Sequence, residues 1–117
     1  MIMDDSMHKV IIVEGKSDKE KLFSILDEPV EIICTNGTLG RHKLEEMAAA
    51  IEHRDVYILV DADDAGAKLR KQLKRELPNA EHLYIHKMYR EVATTPLMYL
   101  AKVLLGARFN INKNCLG

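Results

Sequence analysis

Residues 56–66 read VYILVDADDAG, an apolar run of five residues followed by three aspartates in four positions, Asp61, Asp63 and Asp64. A short, unbroken apolar run is typical of a strand that is buried on both faces of a parallel sheet. The acids therefore lie where this strand leaves the core. Two unit charges 4 Å apart repel by roughly 4 kcal/mol at an effective dielectric near 20, so the cluster needs either abundant water or a neutralising cation.

Three other segments have the features of strands, and they alternate with helical patterns. The strand-like segments are VIIVEG at 10–15, VEIICT at 30–35 and EHLYIH at 81–86. Apolar residues spaced by three and four predict two of the helices, one from about 41 to 52 and one from about 65 to 77.

The first and last helices have sequence signals at their ends. Ser17 and Glu20 form a capping-box pattern for a first helix that ends before Pro29. Thr95 as the cap and Pro96 in the first turn predict a last helix that continues to about residue 105. The tail that follows is expected to be irregular.

Strands that alternate with helices predict an α/β fold with three layers, α/β/α, around a four-stranded parallel sheet joined by right-handed crossovers. Ligands of such sheets bind beyond the carboxyl ends of the strands, where the strand order reverses. The order 2-1-3-4 sets the first and third strands side by side. It thereby brings Glu14 next to Asp61 and Asp63.

Length and composition restrict the class of protein. With 117 residues, of which 47% are hydrophobic and 30% charged, the chain is expected to be one domain, 1–117, with its core in about 8–95 and a last helix and tail in 96–117. A net charge of -1 gives no overall attraction to nucleic acid, so such a partner requires a local patch. No apolar stretch has the length of a membrane span and the N-terminus lacks the features of a signal peptide, which predicts a cytoplasmic protein without membrane contact.

Three carboxylates are the candidate ligands of a metal ion. Asp61 and Asp63 are separated by one residue, and alternate side chains of an extended segment point the same way. Together with Glu14 they make an all-oxygen site, which suits Mg²⁺ or Mn²⁺ with water and phosphate oxygens in the remaining positions. Gly15 and Gly66 leave room for a phosphate close to the backbone.

Two motifs in this arrangement, IIVEGKSD at 11–18 and LVDADDAG at 59–66, resemble the Toprim domain family. The family includes topoisomerases, bacterial primases, recombination mediators and certain nucleases. The resemblance implies phosphoryl transfer on nucleic acid, with Glu14 as general acid or base and Asp61 and Asp63 as metal ligands. EGKSD and the TNGT turn look most like the Toprim half of a ribonuclease that matures ribosomal RNA. A free-standing small Toprim nuclease that acts on RNA is therefore expected.

The resemblance leaves the number of metal ions, one or two, open. Some family members carry a third acid two residues beyond the DxD pair, where this chain has Ala65. Either Asp64 or Asp18 is available to replace it. Asp18 is alternatively a first-turn acid favoured by the helix dipole. Asp63 or Asp64 is alternatively the N-cap of the third helix, which accounts for one acid and not for three.

Four basic residues fall in or next to loops predicted at the same edge of the sheet: Lys16, Arg41, Lys87 and Arg90. They are candidates for contacts with nucleic-acid phosphates. The basic stretch KLRKQLKR at 68–75 is instead expected to be a solvated helix face that runs away from this edge.

Two other functions fit parts of the pattern. A non-catalytic module would bind nucleic acid or a partner protein through the same pocket, and a homodimer would extend a surface that is small for a duplex. A receiver-like phosphoacceptor also clusters acids after its first and third strands. It carries the paired acids after the first strand and the lone acid after the third, which is the reverse of this chain. The nuclease is therefore the preferred interpretation.

Overall fold

The structure is a computed structural model that describes residues 8–37 and 39–117. Its four strands are β1 (Lys9–Val13), β2 (Val30–Cys34), β3 (Val56–Leu59) and β4 (Glu81–Leu83). Its four α-helices are α1 (Lys16–Ile25), α2 (Arg41–Ile51), α3 (Asp64–Glu76) and α4 (Leu97–Gly106). Short 3-10 helices cover Lys87–Tyr89 and Lys113–Leu116. No helix in these ranges is long and apolar enough to cross a membrane.

The strands form one parallel sheet in the order β2-β1-β3-β4, which confirms the predicted fold class and strand order. Ile12 of β1 pairs with Ile58 of β3. Two residues further along the same register, Glu14 comes level with Val60. Asp61 is the next residue after Val60, so the pairing of the two central strands carries both acids to one edge of the sheet.

The apolar runs of β1 and β3 are unbroken because helices cover both faces of the sheet. Ile11 and Leu59 belong to a cluster formed with α1, α4 and the tail, whereas Ile12 and Ile58 belong to a cluster formed with α2 and α3. All four side chains are fully buried. Burial of this kind contributes about 25 cal/mol per Å² of apolar surface removed from water. It fixes the register of the strands and, with it, the residues that reach the edge.

The predicted capping pair of α1 is wrong. The N-cap is Gly15, and the carboxylate of Asp18 accepts a hydrogen bond from the Gly15 N–H at 3.1 Å. Ser17 and Glu20 lie inside the helix, two residues after the positions of the N-cap and its partner. Because glycine has no side chain to cap the helix, Asp18 makes the reciprocal half of the capping box alone.

The predicted start of α4 is displaced by one residue. Pro96, expected in the first turn, is the N-cap, and the helix begins at Leu97. Thr95, expected to be the cap, lies outside the helix, and its hydroxyl donates to the carbonyl of Glu91 at 2.8 Å. The hydroxyl therefore closes the loop that precedes the helix.

The tail, expected to be irregular, is a packed part of the core. Phe109, Ile111 and Cys115 are buried, and the rings of Phe109 and Tyr57 meet edge to face with 4.6 Å between centroids. Ile111 also forms an isolated antiparallel bridge with Leu26. The tail thus completes the cover over one face of the sheet.

Replacing Phe109 with alanine should lower the free energy of unfolding by about 3–5 kcal/mol, because the change removes a fully buried ring and leaves a cavity beside Tyr57. Urea unfolding measures the loss. Phe23→Ala is the matched control, since that ring is 53% exposed and its removal should cost less than about 1 kcal/mol. Equal losses in the two variants would show that the tail is not part of the core.

Candidate metal centre

Three carboxylates converge beyond the carboxyl ends of β1 and β3. Glu14, Asp61 and Asp63 each offer an oxygen, and these oxygens all lie within 4.8 Å of one another. All three side chains are half-buried. The structure therefore brings together the three acids that the sequence singles out. Their roles as ligands or catalysts stay a prediction.

The loop after β4 holds Asp61 in place. The Val92 N–H donates to Oδ1 of Asp61 at 2.8 Å, and the Ala62 N–H donates to the carbonyl of Arg90 at 2.7 Å. Arg90 has a φ of 62°, a left-handed conformation that costs a non-glycine residue on the order of 1–3 kcal/mol. These two hydrogen bonds therefore tie the segment after β3 to the loop after β4.

Lys21 of α1 fixes the same loop from the other side. Its ammonium group donates to the carbonyl oxygens of Val92, Ala93 and Thr95, at 2.8 Å in the case of Ala93. One cation thus gathers three carbonyls of the segment whose N–H group orients Asp61. This support was not evident from the sequence, because it joins residues more than 70 positions apart.

Asp63 has a structural role that is compatible with metal binding. It is the N-cap of α3, and its Oδ1 accepts a hydrogen bond from the Gly66 N–H at 2.7 Å. A carboxylate has two oxygens and about four lone-pair sites, so one side chain can cap a helix and still bind a cation. The two interpretations of this acid are therefore not exclusive. Asp64 begins α3 as an exposed residue outside the carboxylate cluster.

Gly66 is required by the close approach of α3 to the strand end. A Cβ at this position would lie 2.9 Å from the carbonyl carbon of Asp61 and closer still to its oxygen. The glycine was expected to make room for a phosphate. In the structure it makes room for the backbone of Asp61, so the last glycine of the DADDAG motif sets the distance between the helix and the acids.

Like charges and burial raise the pKa of Glu14 from 4.5 to about 7. Burial is the largest cause, followed by a hydrogen bond with Asp61 and by the charges of Asp61 and Asp63. Among the described residues, no lysine or arginine forms an ion pair with any of the three acids. Protonation of Glu14 therefore reduces the repulsion between the three carboxylates in the metal-free protein, and a divalent cation would replace that proton.

Asp18 lies beside the cluster without joining it. It is buried, and burial is the main reason why its pKa is raised from the ordinary value, with the charge of Asp61 adding to the effect. Its carboxylate is bound to the Gly15 N–H. Asp18 thereby shapes the turn that presents Glu14, and the cluster of candidate ligands does not include it.

The four basic candidates have different surroundings. Lys16 is exposed two residues after Glu14, and Arg90 is exposed with its carbonyl bound to the Ala62 N–H. Lys87 lines a cavity that Asp61 and Asp63 also line. Arg41 is the first residue of α2, and its guanidinium is paired with Glu45 at 3.1 Å. Lys87 is therefore the candidate that the structure places in the same cavity as the acids.

The cavity next to the acids was missed by sequence reasoning. This cavity, the α3 groove, has a volume of about 880 Å³, and its lining includes Asp61, Asp63, Asp64, Arg70, Lys71, Lys74, Tyr84 and Lys87. The expectation that the basic stretch 68–75 runs away from the active edge is wrong for one face of α3. The spacing of residues 70, 71 and 74 was the available signal, because such residues share a helix face.

The chain belongs to the Toprim domain family, whose family description matches residues 9–88. It is 56% identical to the Bacillus subtilis (strain 168) protein YusF over 108 residues, which are 92% of this chain and 74% of that protein. Ribonuclease M5 from Fusobacterium nucleatum is 31% identical over 86 residues, 74% of this chain and 47% of the relative. The chain spans less than half the length of the ribonuclease M5 relatives that it matches.

A solved structure extends the comparison to the whole fold. The small TOPRIM domain protein from Bacillus stearothermophilus is 56% identical and superimposes with a TM-score of 0.92. The match covers 95% of this chain and 94% of that one. The arrangement of strands and helices described above is therefore that of a small Toprim domain.

Replacing Gly66 with alanine should destabilise the protein by about 1–3 kcal/mol, because the added Cβ forces α3 away from Asp61. Thermal unfolding measures the change. Gly106→Ala in α4 is the control, since a Cβ there meets nothing within 4 Å, and stability should stay level or rise by up to about 1 kcal/mol. Equal stability of the two variants would mean that the helix and the strand end are not in close contact.

The metal-free protein should lose stability as the pH rises from about 4.5 to 7. The unfolded chain releases the Glu14 proton near 4.5 and the folded chain near 7, so the folded state binds more protons between these values and its free energy of unfolding falls. Below and above this window the contribution is constant. Urea unfolding in a chelator at several pH values measures the slope.

Glu14→Gln should flatten this slope, whereas Glu20→Gln, a change at an exposed acid of α1, should leave it unchanged. Parallel profiles for the wild type and Glu14→Gln across the whole window would contradict the raised pKa.

Proposed function

We propose that this chain is a metal-dependent phosphoryl-transfer enzyme that cleaves RNA. The observation that carries the proposal is the convergence of Glu14, Asp61 and Asp63 within 4.8 Å at the functional edge of a Toprim fold. Membership of the Toprim family and identity to proteins named ribonuclease M5 support the choice of RNA. The same relatives support a role in RNA processing.

The donor set fits a small, hard cation. Mg²⁺ prefers oxygen ligands at 2.0–2.1 Å, so oxygens in an octahedral shell are separated by about 2.9 Å when adjacent and about 4.2 Å when opposite. The carboxylate oxygens lie within 4.8 Å of one another, so they would move closer together to reach these separations around a bound ion. The charges of Asp61 and Asp63, which add to the effect of burial on the pKa of Glu14, also favour a cation at this position. Mg²⁺ and Mn²⁺ share this oxygen preference.

Each acid has a distinct role in the proposal. Asp61 and Asp63, each anchored by a backbone N–H, hold the cation. With a cation held there, the site would supply Lewis-acid stabilisation of the negative charge that develops on the phosphoryl group. Glu14 acts as the general acid or base. Its pKa of about 7 is that of the metal-free protein, and a cation bound beside it would lower this value.

Basic side chains around the acids position the substrate. Lys16, Lys87 and Arg90 are exposed and free to contact phosphates that flank the scissile bond. Arg41 would contribute after it leaves its ion pair with Glu45. Exposed pairs of this kind are worth at most about 1 kcal/mol, so the exchange costs little.

A non-catalytic module that binds RNA is the second candidate. What favours it is the extent of the match: the chain spans less than half the length of each ribonuclease M5 relative, so the match by itself does not carry over the activity named for those whole proteins. Such a module would use the same basic residues, and a second copy or a partner protein would extend the surface. It predicts binding that depends on salt without any strand scission.

The purified protein should cleave structured or single-stranded RNA in Mg²⁺ or Mn²⁺ and should lose the activity in a chelator. Asp61→Asn removes a ligand and Glu14→Gln removes the proton-transfer group, so cleavage should fall by about 100- to 10,000-fold in the latter and at least as much in the former. A panel of labelled structured RNA, single-stranded DNA and duplex DNA, resolved on denaturing gels, measures the rates.

The matched control is Asp55→Asn, which removes the same kind of carboxylate at the opposite end of β3 and should leave the rate unchanged. Cleavage at equal rates in the wild type, Glu14→Gln and Asp61→Asn would identify a contaminating nuclease. Salt-sensitive RNA binding without metal-dependent cleavage would select the non-catalytic module.

A further inference from the structure

The α3 groove begins at the acids and follows the third helix. Asp61 and Asp63 lie at one end, and the walls come from α3 and from the segment that follows β4. Asp64, the first residue of α3, is ten residues from Lys74, which is about 15 Å along a helix axis. That length matches roughly four stacked nucleotides at 3.4 Å each. The groove is therefore long enough for a short strand segment beside the metal site.

The helix wall of the groove carries unpaired positive charge. Lys71 and Lys74 are three positions apart, so they lie on the same face of α3. Lys87 faces the groove from the loop after β4. In the part of the chain that the structure describes, none of these three lysines forms an ion pair. Acids at one end and free cations along the wall suit a polyanion whose reacting phosphate sits at the acids.

Tyr84 presents an aromatic ring in the same groove. The ring is 65% exposed although the guanidinium of Arg70 lies over it, 4.1 Å from its centroid. Arg70 is itself fixed, because it donates to the carbonyl of Leu83 at 2.9 Å and contacts Nδ1 of His82 at 2.9 Å. Packing against the side chain of Arg70 does not by itself explain why so much of Tyr84 is exposed. The stack thus makes Tyr84 a supported platform that remains open to solvent.

We propose that the α3 groove binds an unpaired nucleic-acid strand that leads away from the metal site, with Lys71 and Lys74 on its phosphates and a base stacked on Tyr84. Cationic grooves with exposed aromatic rings are the usual means of binding single strands, because every unstacked base has a face to offer. Bases within a duplex have no free face. The inference extends the proposed function by naming the form of its substrate, an unpaired segment next to the scissile phosphate.

Fluorescence anisotropy of a labelled, unstructured RNA of about 12 nucleotides tests the proposal, because that length is within the range covered by one single-strand site. The titration is made in a chelator, so that no strand is cut. Lys71→Ala with Lys74→Ala should weaken binding about tenfold and lower the slope of log K against log salt by about 1.4, since each single-strand phosphate contact contributes about 0.7.

Lys68→Ala with Arg75→Ala is the matched control for that pair. It removes the same charge from the same helix at two exposed positions that do not line the groove. Its binding constant should stay within about twofold of the wild type, because only direct phosphate contacts release counterions fully. Equal losses for the two double variants would overturn the groove in favour of general attraction to the helix.

Tyr84→Ala should weaken binding by roughly five- to a hundredfold, the range expected when one base loses its stacking partner. The salt slope should not change, because no charge is lost. Tyr84→Phe should retain wild-type affinity, since the ring face and not the hydroxyl makes the contact. Loss of affinity in Tyr84→Phe equal to that in Tyr84→Ala would overturn the stacking platform.

Two further probes decide the form of the ligand. A DNA oligomer of the same sequence identifies the source of the strand: whichever of RNA and DNA binds more tightly occupies the groove. A fully paired duplex should bind more weakly than either single strand, and tighter binding of the duplex would overturn the proposal. If only the groove proposal fails, the wild type still shows metal-dependent cleavage that Asp61→Asn abolishes. If the proposed function fails, the wild type shows no such cleavage.

Discussion

Repulsion between like charges is the constraint on which this edge of the sheet depends. The pairing of β1 with β3 sets Glu14 beside Asp61, and Asp63 adds a third carboxylate. The two apolar clusters hold this arrangement by locking the strands in register. Burial, a hydrogen bond with Asp61 and the charges of Asp61 and Asp63 together raise the pKa of Glu14 to about 7, so part of the repulsion is relieved when Glu14 is protonated. Burial of the apolar core therefore offsets the unfavourable free energy of holding the three carboxylates together.

The supports of the site come from distant parts of the chain. Val92 orients Asp61, and Lys21 gathers the loop that contains Val92. Gly66 lets α3 approach closely enough for its own N–H to reach Asp63. Each support acts on backbone or on one carboxylate oxygen, so the acids are positioned without being neutralised. An acid fixed in this way keeps its negative charge available for a cation, which a lysine or arginine partner would have consumed.

The sequence predicted the sheet and the three acids because both depend on local patterns. Unbroken apolar runs marked the buried strands, and the alternation with helices set the parallel order. The N-cap of α1 was mispredicted because Ser17 and Glu20 match the capping-box sequence better than Gly15 and Asp18 do. The packing of Phe109 and the support from Lys21 depend on which distant segments meet, and no local spacing encodes that.

The basic face of α3 is another feature that local sequence patterns did not predict, and it bears on function. A run of lysines and arginines indicates a solvated helix, and only the position of β4 beside α3 places Arg70, Lys71 and Lys74 in a groove with the acids. A net charge of -1 for the whole chain conceals this local separation of charge. Within a Debye length of about 8 Å, the acids repel a phosphate strand that the lysines attract. A divalent cation among the acids cancels most of the negative charge at that end of the groove, so metal binding and strand binding should favour each other.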